Sequence, residues 1–295
     1  HTLHEPFTDP RKLAQGIPDN RLMFDQFRSI KDLYFNCVSR KQKSMAPPGL
    51  RSRIKRVIYN GIEVNDYIFS AKKDDYYTIV ASFSPDKGQG TAAKACHDLG
   101  LPLKMAGTIG SGISEPRQLE AAMKDPASQL KYDRGFSYFL KEVAPYLEKG
   151  SIEYVGKVTG HRQKEHFARA KAFLFPIDWE EPFGIAVIEA LASGTPVVTY
   201  NRGAMPEIIK HGVNGFLANS YTEFKQYVKR VGEIDPAVCR RSVEHKFSTE
   251  VMAEEYLKLY KNILAQYKAP RLRRIVSLPL TPELAASAWQ RRLPI

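Results

Sequence analysis

The stretch from Glu180 to Leu217, EEPFGIAVIEALASGTPVVTYNRGAMPEIIKHGVNGFL, limits the fold more than any other part of the chain. Glu181 stands before Pro182-Phe183-Gly184. An apolar run then carries a second carboxylate, Glu189, and Gly194-Thr195-Pro196 closes the run ahead of a Val-Val-Thr-Tyr strand. This order predicts a helix entered through a tight, backbone-exposing turn and followed directly by a strand. Gly184 would let a ligand approach the main chain closely. The free N–H groups of Ile185 and Ala186 would point at that ligand, with the positive end of the helix behind them. Glu181 lies outside the helix and Glu189 about one turn inside it, so both can face one bound molecule. An anion at the helix start and hydroxyls on two carboxylates together describe a nucleotide sugar. The bland alternative is a core helix with one solvated glutamate.

The same alternation of short apolar runs with amphipathic stretches extends over residues 76–266, the pattern of a parallel sheet covered on both faces. Strands are expected at 77–81, 103–106, 152–155, 172–175 and 197–200. Helices are expected near 91–99, 137–147, 164–170, 222–231 and 249–266, with a further one starting at Pro206 and stopping near Gly212. The first 75 residues differ. A helix over 24–34, strands at 35–39 and 56–59, and a sharp turn at Asn60-Gly61-Ile62 are too little for a second doubly wound domain. The tail, 267–295, has little periodicity and no assigned place.

With these residues in view, the chain resembles the retaining GT-B glycosyltransferases of family 4, of bacterial type. Glu181, seven intervening residues and Glu189 fit their E-x7-E signature, and the flanking Pro-Phe-Gly and Ala-Ser-Gly-Thr-Pro fit as well. The resemblance implies an α/β fold of GT-B architecture, with a doubly wound C-terminal domain and a partial N-terminal Rossmann-like domain. Residues 1–60 would be the last part of the acceptor-side domain, 61–75 the linker (from VIYNGIEVNDY) and 76–266 the donor-binding domain. The opening strands of the N-terminal domain and its glycine-rich loop are missing, so a truncation or a complementing N-terminal segment is expected.

The resemblance also implies an activity: metal-independent, retaining transfer of a hexose from a nucleoside-diphosphate sugar to a hydroxyl acceptor, saccharide or lipid-linked. No cofactor is implied, and a UDP-sugar is favoured over GDP or ADP donors. Glu181, Lys87 and His4 would be the catalytic residues. Lys87, in the loop after the first strand of the complete domain, would bind the donor diphosphate, and His4 would contact the sugar's 6-hydroxyl from the opposite domain. Ser82, Phe183, Gly184, Ile185, Ala186 and Glu189 would line the donor site, Glu189 holding the ribose, with Gly156 and Val158 at the base-binding edge. One departure stands out. The family carries Gly-Arg before the lysine loop and this chain has Ala81-Ser82. A charge-assisted phosphate contact is therefore lost, unless a hydroxyl or another basic residue compensates. A sugar phosphorylase, a nucleotide-sugar epimerase and a non-catalytic nucleotide-sugar-binding module stay open as alternatives.

Other chemistries find no support. His161 and His166 are five apart, off the spacing of a helical zinc pair, and no D-x-D, G-x-S-x-G or P-loop is present. Cys37, Cys96 and Cys239 make no disulfide framework, which suits buried thiols in a reducing, cytoplasmic setting. No apolar run approaches the ~20 residues that span a bilayer. The net charge of +12 gathers at Arg40-Lys41-Gln42-Lys43, at 51–56 and at 271–274. It leaves peripheral contact with an anionic membrane open, beside a plain solvated basic surface. Nucleic acid is not expected, since no recognition motif accompanies the charge.

Overall fold

Runs of Val, Ile, Leu, Phe and Tyr with few charges are economical only if buried on both faces. In the computed structural model those between Tyr77 and Ala218 build one parallel sheet. The structure describes residues 2–4, 30, 33–125, 129–148 and 150–266. The chain divides into two compact units, His1–Tyr256 and Leu257–Ile295.

In the first unit β1 (Thr2–Leu3), β2 (Phe35–Cys37) and β3 (Ile54–Val57) form a small parallel sheet in that order. Leu3, Phe35, Cys37, Ala46, Leu50 and Ile54 make its core. The larger sheet contains β4 (Tyr77–Val80), β5 (Leu103–Ala106), β6 (Ile152–Gly156), β7 (Phe173–Phe175), β8 (Val197–Tyr200) and β9 (Gly215–Ala218), ordered β6-β5-β4-β7-β8-β9. Every pairing in it is parallel. Strand order grows outward from β4 on one side and restarts with β7 on the other, so the carboxyl ends of β4 and β7 flank the switch point where doubly wound sheets hold ligands. The expected α/β doubly wound architecture is therefore present.

Several elements differ in extent from expectation, for local reasons. The strand expected at 35–39 stops at Cys37 because Ser39 caps the helix Arg40–Met45, its Oγ accepting from Gln42 N at 3.0 Å. The strand expected at 56–59 lies at 54–57. The helix expected at 137–147 is an α-turn (Arg134–Tyr138), a π-segment (Phe139–Val143) and a 3-10 turn (Ala144–Tyr146), since Pro145 has no N–H to continue the ladder. Helices at Pro116–Lys124 and Pro236–Glu244 were not expected. Both start at a proline behind an acidic residue, Glu115 or Asp235, a signal readable in the sequence. The helix expected at 24–34 falls outside the described residues except for Ile30, Leu33 and Tyr34, which are not helical. The tail 267–295 falls wholly outside them. The three cysteines are free and buried, burial pushing Cys37 up to about 11 and Cys96 and Cys239 to about 12.

The two sheets meet through the Asn60-Gly61-Ile62 turn. Ile62 N donates to Phe247 O (2.9 Å), and Thr249 N donates to Ile62 O (3.1 Å). A Cβ on Gly61 would lie 2.4 Å from Ser248 O, so only glycine permits this approach. Glu207 adds a polar clasp. Its carboxylate accepts from Arg40 N (2.9 Å), Lys41 N (2.8 Å) and Tyr59 OH (3.0 Å).

Candidate active site

Two loops form the switch point. After β4 the chain passes Ala81 and Ser82 into a 3-10 turn, Pro85–Lys87, and enters the helix Gln89–Leu99 through Gly88 at φ +81. After β7 it runs from Pro176 to Gly184 and into the signature helix Ile185–Ala192. Asp178 N donates to Asp86 O at 2.9 Å, tying the loops together. A Cβ on Gly88 would lie 2.1 Å from Pro176 O, so the contact is too close for any side chain.

This proximity lets Lys87 reach Glu181. Lys87 Nζ lies 2.6 Å from Glu181 Oε2, and the Trp179 indole N–H donates to the same oxygen at 3.0 Å. The Lys87 ammonium also sits 4.5 Å from the centroid of the Trp179 ring. The Glu181 side chain is 12% exposed. Trp179 thus braces this carboxylate. Glycine also shapes the loop from behind: Gly203, at φ +58, would place a Cβ 2.5 Å from Glu181 N, while Gly203 N donates to Glu180 Oε2 at 2.9 Å and Ala204 N to Glu181 O at 2.9 Å.

The signature helix starts as its sequence predicts. Gly184, at φ +99, stands at its N-cap and no side chain caps it. Ile185 is half exposed, whereas Val187, Ile188, Ala190, Leu191 and Ala192 are buried, partly against the helix Pro236–Glu244. Phe183 is buried, its ring packed against Tyr59 and Phe247 with centroids 6.1 and 5.7 Å away. It offers a ligand its main chain only.

Glu189 lies in a separate polar cluster. Tyr67 OH donates to its Oε1 (2.8 Å) and Gln163 Nε2 to its Oε2 (2.9 Å). Desolvation raises the Glu189 carboxyl above its ordinary value, and those two hydrogen bonds and Lys164 oppose the rise. Among the described residues no hydrogen bond or ion pair joins Glu189 to Glu181 or Lys87. Tyr67 and Gln163 were missed by sequence reasoning. One sits in the linker and the other at the start of the helix Gly160–Arg169, 122 and 26 positions from Glu189.

The remaining expected residues are scattered. Ser82 is exposed, and its carbonyl accepts from Gln89 Nε2 at 3.0 Å. The buried Gln89 Oε1 has no partner among the described residues. Gly156 ends β6 at φ +83, and a Cβ there would lie 2.8 Å from Ser114 O; Val158 is buried. His4 is exposed just beyond β1, and no contact brings it to Lys87 or Glu181 among the described residues. No group of three or more His, Cys, Asp or Glu side chains converges among the described residues, and no helix there is long and apolar enough to cross a membrane.

Comparison with known proteins bears on the fold and the family. Among solved structures, sucrose-phosphate synthase from Thermosynechococcus elongatus superposes with a TM-score of 0.68 at 19% identity, covering 90% of this chain and 68% of that one. Anabaena HepE in complex with UDP and glucose gives 0.66 at 16%, covering 88% and 70%. Both share the fold. The spore coat protein SA of Bacillus subtilis is 27% identical over 124 residues, 39% of this chain and 33% of that protein. The D-inositol 3-phosphate glycosyltransferase of Mycobacteroides abscessus is 26% identical over 175 residues, 57% and 34%. The chain thus spans about a third of the length of these curated relatives. The model of the family "Glycosyl transferases group 1" matches residues 65–236, more than half of the chain and all of the switch point, and the protein belongs to that family.

Proposed function

We propose that the protein is a retaining hexosyltransferase that takes its sugar from a nucleoside diphosphate, UDP in preference to GDP or ADP, and delivers it to a saccharide or lipid-linked hydroxyl. The observation that carries this reading is the Lys87–Glu181 pair, 2.6 Å apart beside a helix start with no side-chain cap. A cation and free N–H groups suit a diphosphate. The carboxylate suits sugar hydroxyls. An arriving diphosphate would draw on Lys87 and release Glu181 toward the sugar. Glu189, oriented by Tyr67 and Gln163, would accept from the ribose hydroxyls, and His4 would approach the sugar from the small sheet.

In the reaction the bond from the anomeric carbon to the phosphate oxygen breaks. The acceptor oxygen bonds to the same face, and the acceptor's proton passes to the leaving diphosphate. Lys87 and the N–H groups of Ile185 and Ala186 neutralise the charge that develops there, so no metal is required by this design. Glu181 steadies the cationic sugar.

Calorimetric titration with UDP-, GDP- and ADP-hexoses tests the site, with Glu189→Ala as control. One donor should bind and the variant should lose it; failure of all three would defeat the reading. Ser82, in place of a basic residue, favours a second reading, a module that binds the nucleotide sugar without turnover. Release of nucleoside diphosphate on adding an acceptor separates the two.

A further inference from the structure

A second polar cavity lies away from the switch point, between the end of β3 with the following Ile58 and Tyr59 and the start of the helix Thr249–Gln266. Its volume is about 430 Å³, and its charged and polar lining is Arg40, Arg56, Tyr59, His245, Lys246 and Glu255. All six belong to the first compact unit. Two arginines and a lysine thus share the lining with one carboxylate, Glu255.

The pairing inside this cavity is unequal. Arg56 is matched, its Nε donating to Glu255 Oε2 at 2.7 Å. The Arg40 guanidinium has no hydrogen-bond or ion-pair partner among the described residues, because only the Arg40 main-chain N–H engages Glu207. Lys246 Nζ donates to the carbonyl of Glu207 (2.6 Å) and lies over the rings of Tyr59 and Phe247, 4.9 and 5.1 Å from their centroids. Among the described residues no carboxylate stands within ion-pair range of it. Desolvation pushes the Lys246 ammonium below its ordinary value, Glu207 opposing and the Arg40 charge adding to the effect. Arg40 and Lys246 line one concavity; Glu207 offsets the charge on Lys246 in part, while the Arg40 guanidinium has no partner among the described residues, so a bound anion pairs with it and removes its repulsion of Lys246.

We infer that this cavity is a binding site for a phosphoryl group, held by Arg40, Lys246 and His245. A planar guanidinium fork, an ammonium and an imidazole supply donors in several directions, which suits a tetrahedral oxyanion better than a carboxylate. The group could come from a phospholipid headgroup or from a soluble phosphorylated molecule, which present the same chemistry. The inference is independent of the donor reading, since none of these residues contributes to the Lys87–Glu181 or Glu189 clusters.

The test uses the full chain and inorganic phosphate, followed by proton NMR of the His245 imidazole. Phosphate up to about 10 mM should move that resonance saturably. Arg40→Gln and Lys246→Gln should each weaken the response about tenfold or more. Arg40→Gln retains the main-chain bond to Glu207, and an unchanged far-UV spectrum in either variant separates lost binding from lost folding. Lys87→Met should leave the response intact, which distinguishes this site from the switch point. Sedimentation with phosphatidylcholine vesicles, with and without phosphatidic acid, identifies the source. Arg40-dependent sedimentation with the acidic vesicles assigns a lipid headgroup, and a phosphate response without sedimentation assigns a soluble ligand. No response to either probe, or equal responses in wild type and both variants, overturns the inference.

Discussion

His166 gives the sharpest quantitative expectation, because its surroundings oppose a positive charge. It lies in the helix Gly160–Arg169, with Nε2 2.6 Å from Thr78 Oγ1. Thr78 donates its own hydroxyl hydrogen to Lys104 O at 2.9 Å, so the imidazole must be the donor in that bond and carries its proton on Nε2. Desolvation first, then the charges of Lys104 and Arg162, lower His166 from 6.5 to about 4. Between those values the unfolded chain binds a proton that the folded chain refuses, so stability falls as pH falls. Between pH 7.5 and 5.0 the loss from this group is about 2 kcal/mol, near 1.4 pKa units at ~1.4 kcal/mol each. Urea unfolding at the two pH values measures it, with His166→Gln as a side chain that donates without titrating. The wild type should lose about 2 kcal/mol more than the variant. Parallel losses in the two proteins would refute the reasoning. The same helix presents Gln163 to Glu189, so acid opening here would also loosen the proposed ribose site.

Three further outcomes are expected. Lys87→Met should weaken nucleoside-diphosphate binding about tenfold or more in calorimetry and destabilise the fold by leaving Glu181 with Trp179 as its remaining donor; adding Glu181→Gln should restore stability but not binding. Gly203→Ala should cost about 2 kcal/mol or more in thermal unfolding and lower donor affinity, since its Cβ meets main chain at 2.5 Å, while Gly232→Ala, with open space around it, should stay within about 0.5 kcal/mol. Tyr67→Phe should reduce donor affinity severalfold and cost only about 1 kcal/mol of stability, because it removes one hydroxyl from Glu189 and leaves the ring in place.

The sequence alone carried the strand and helix identity of the large domain, because period and apolar content are local quantities. The runs at Tyr77–Val80, Leu103–Ala106 and Val197–Tyr200 are buried strands, and the Pro182-Phe183-Gly184 turn opens a helix as its residues require. It also set Lys87 and Glu181 in two strand-to-helix loops, and the resemblance assigned both to one donor site. Element ends were less legible: Ser39 reads as strand until its hydroxyl is seen capping a helix, and Pro145 interrupts a helix whose apolar pattern continues.

Tertiary structure alone decided the partners. That Lys87 meets Glu181 depends on β4 and β7 lying side by side although 92 residues and two other strands separate their ends. That Glu189 is held by Tyr67 and Gln163, that Phe183 turns inward beneath Tyr59, and that Arg40, Lys246 and His245 share a cavity all follow from chain reversals that no local pattern encodes. Periodicity specifies which face of an element is buried. Which distant side chains then meet is set by sheet order and by the few close backbone approaches, at Gly61, Gly88 and Gly203, that only a residue without a side chain allows.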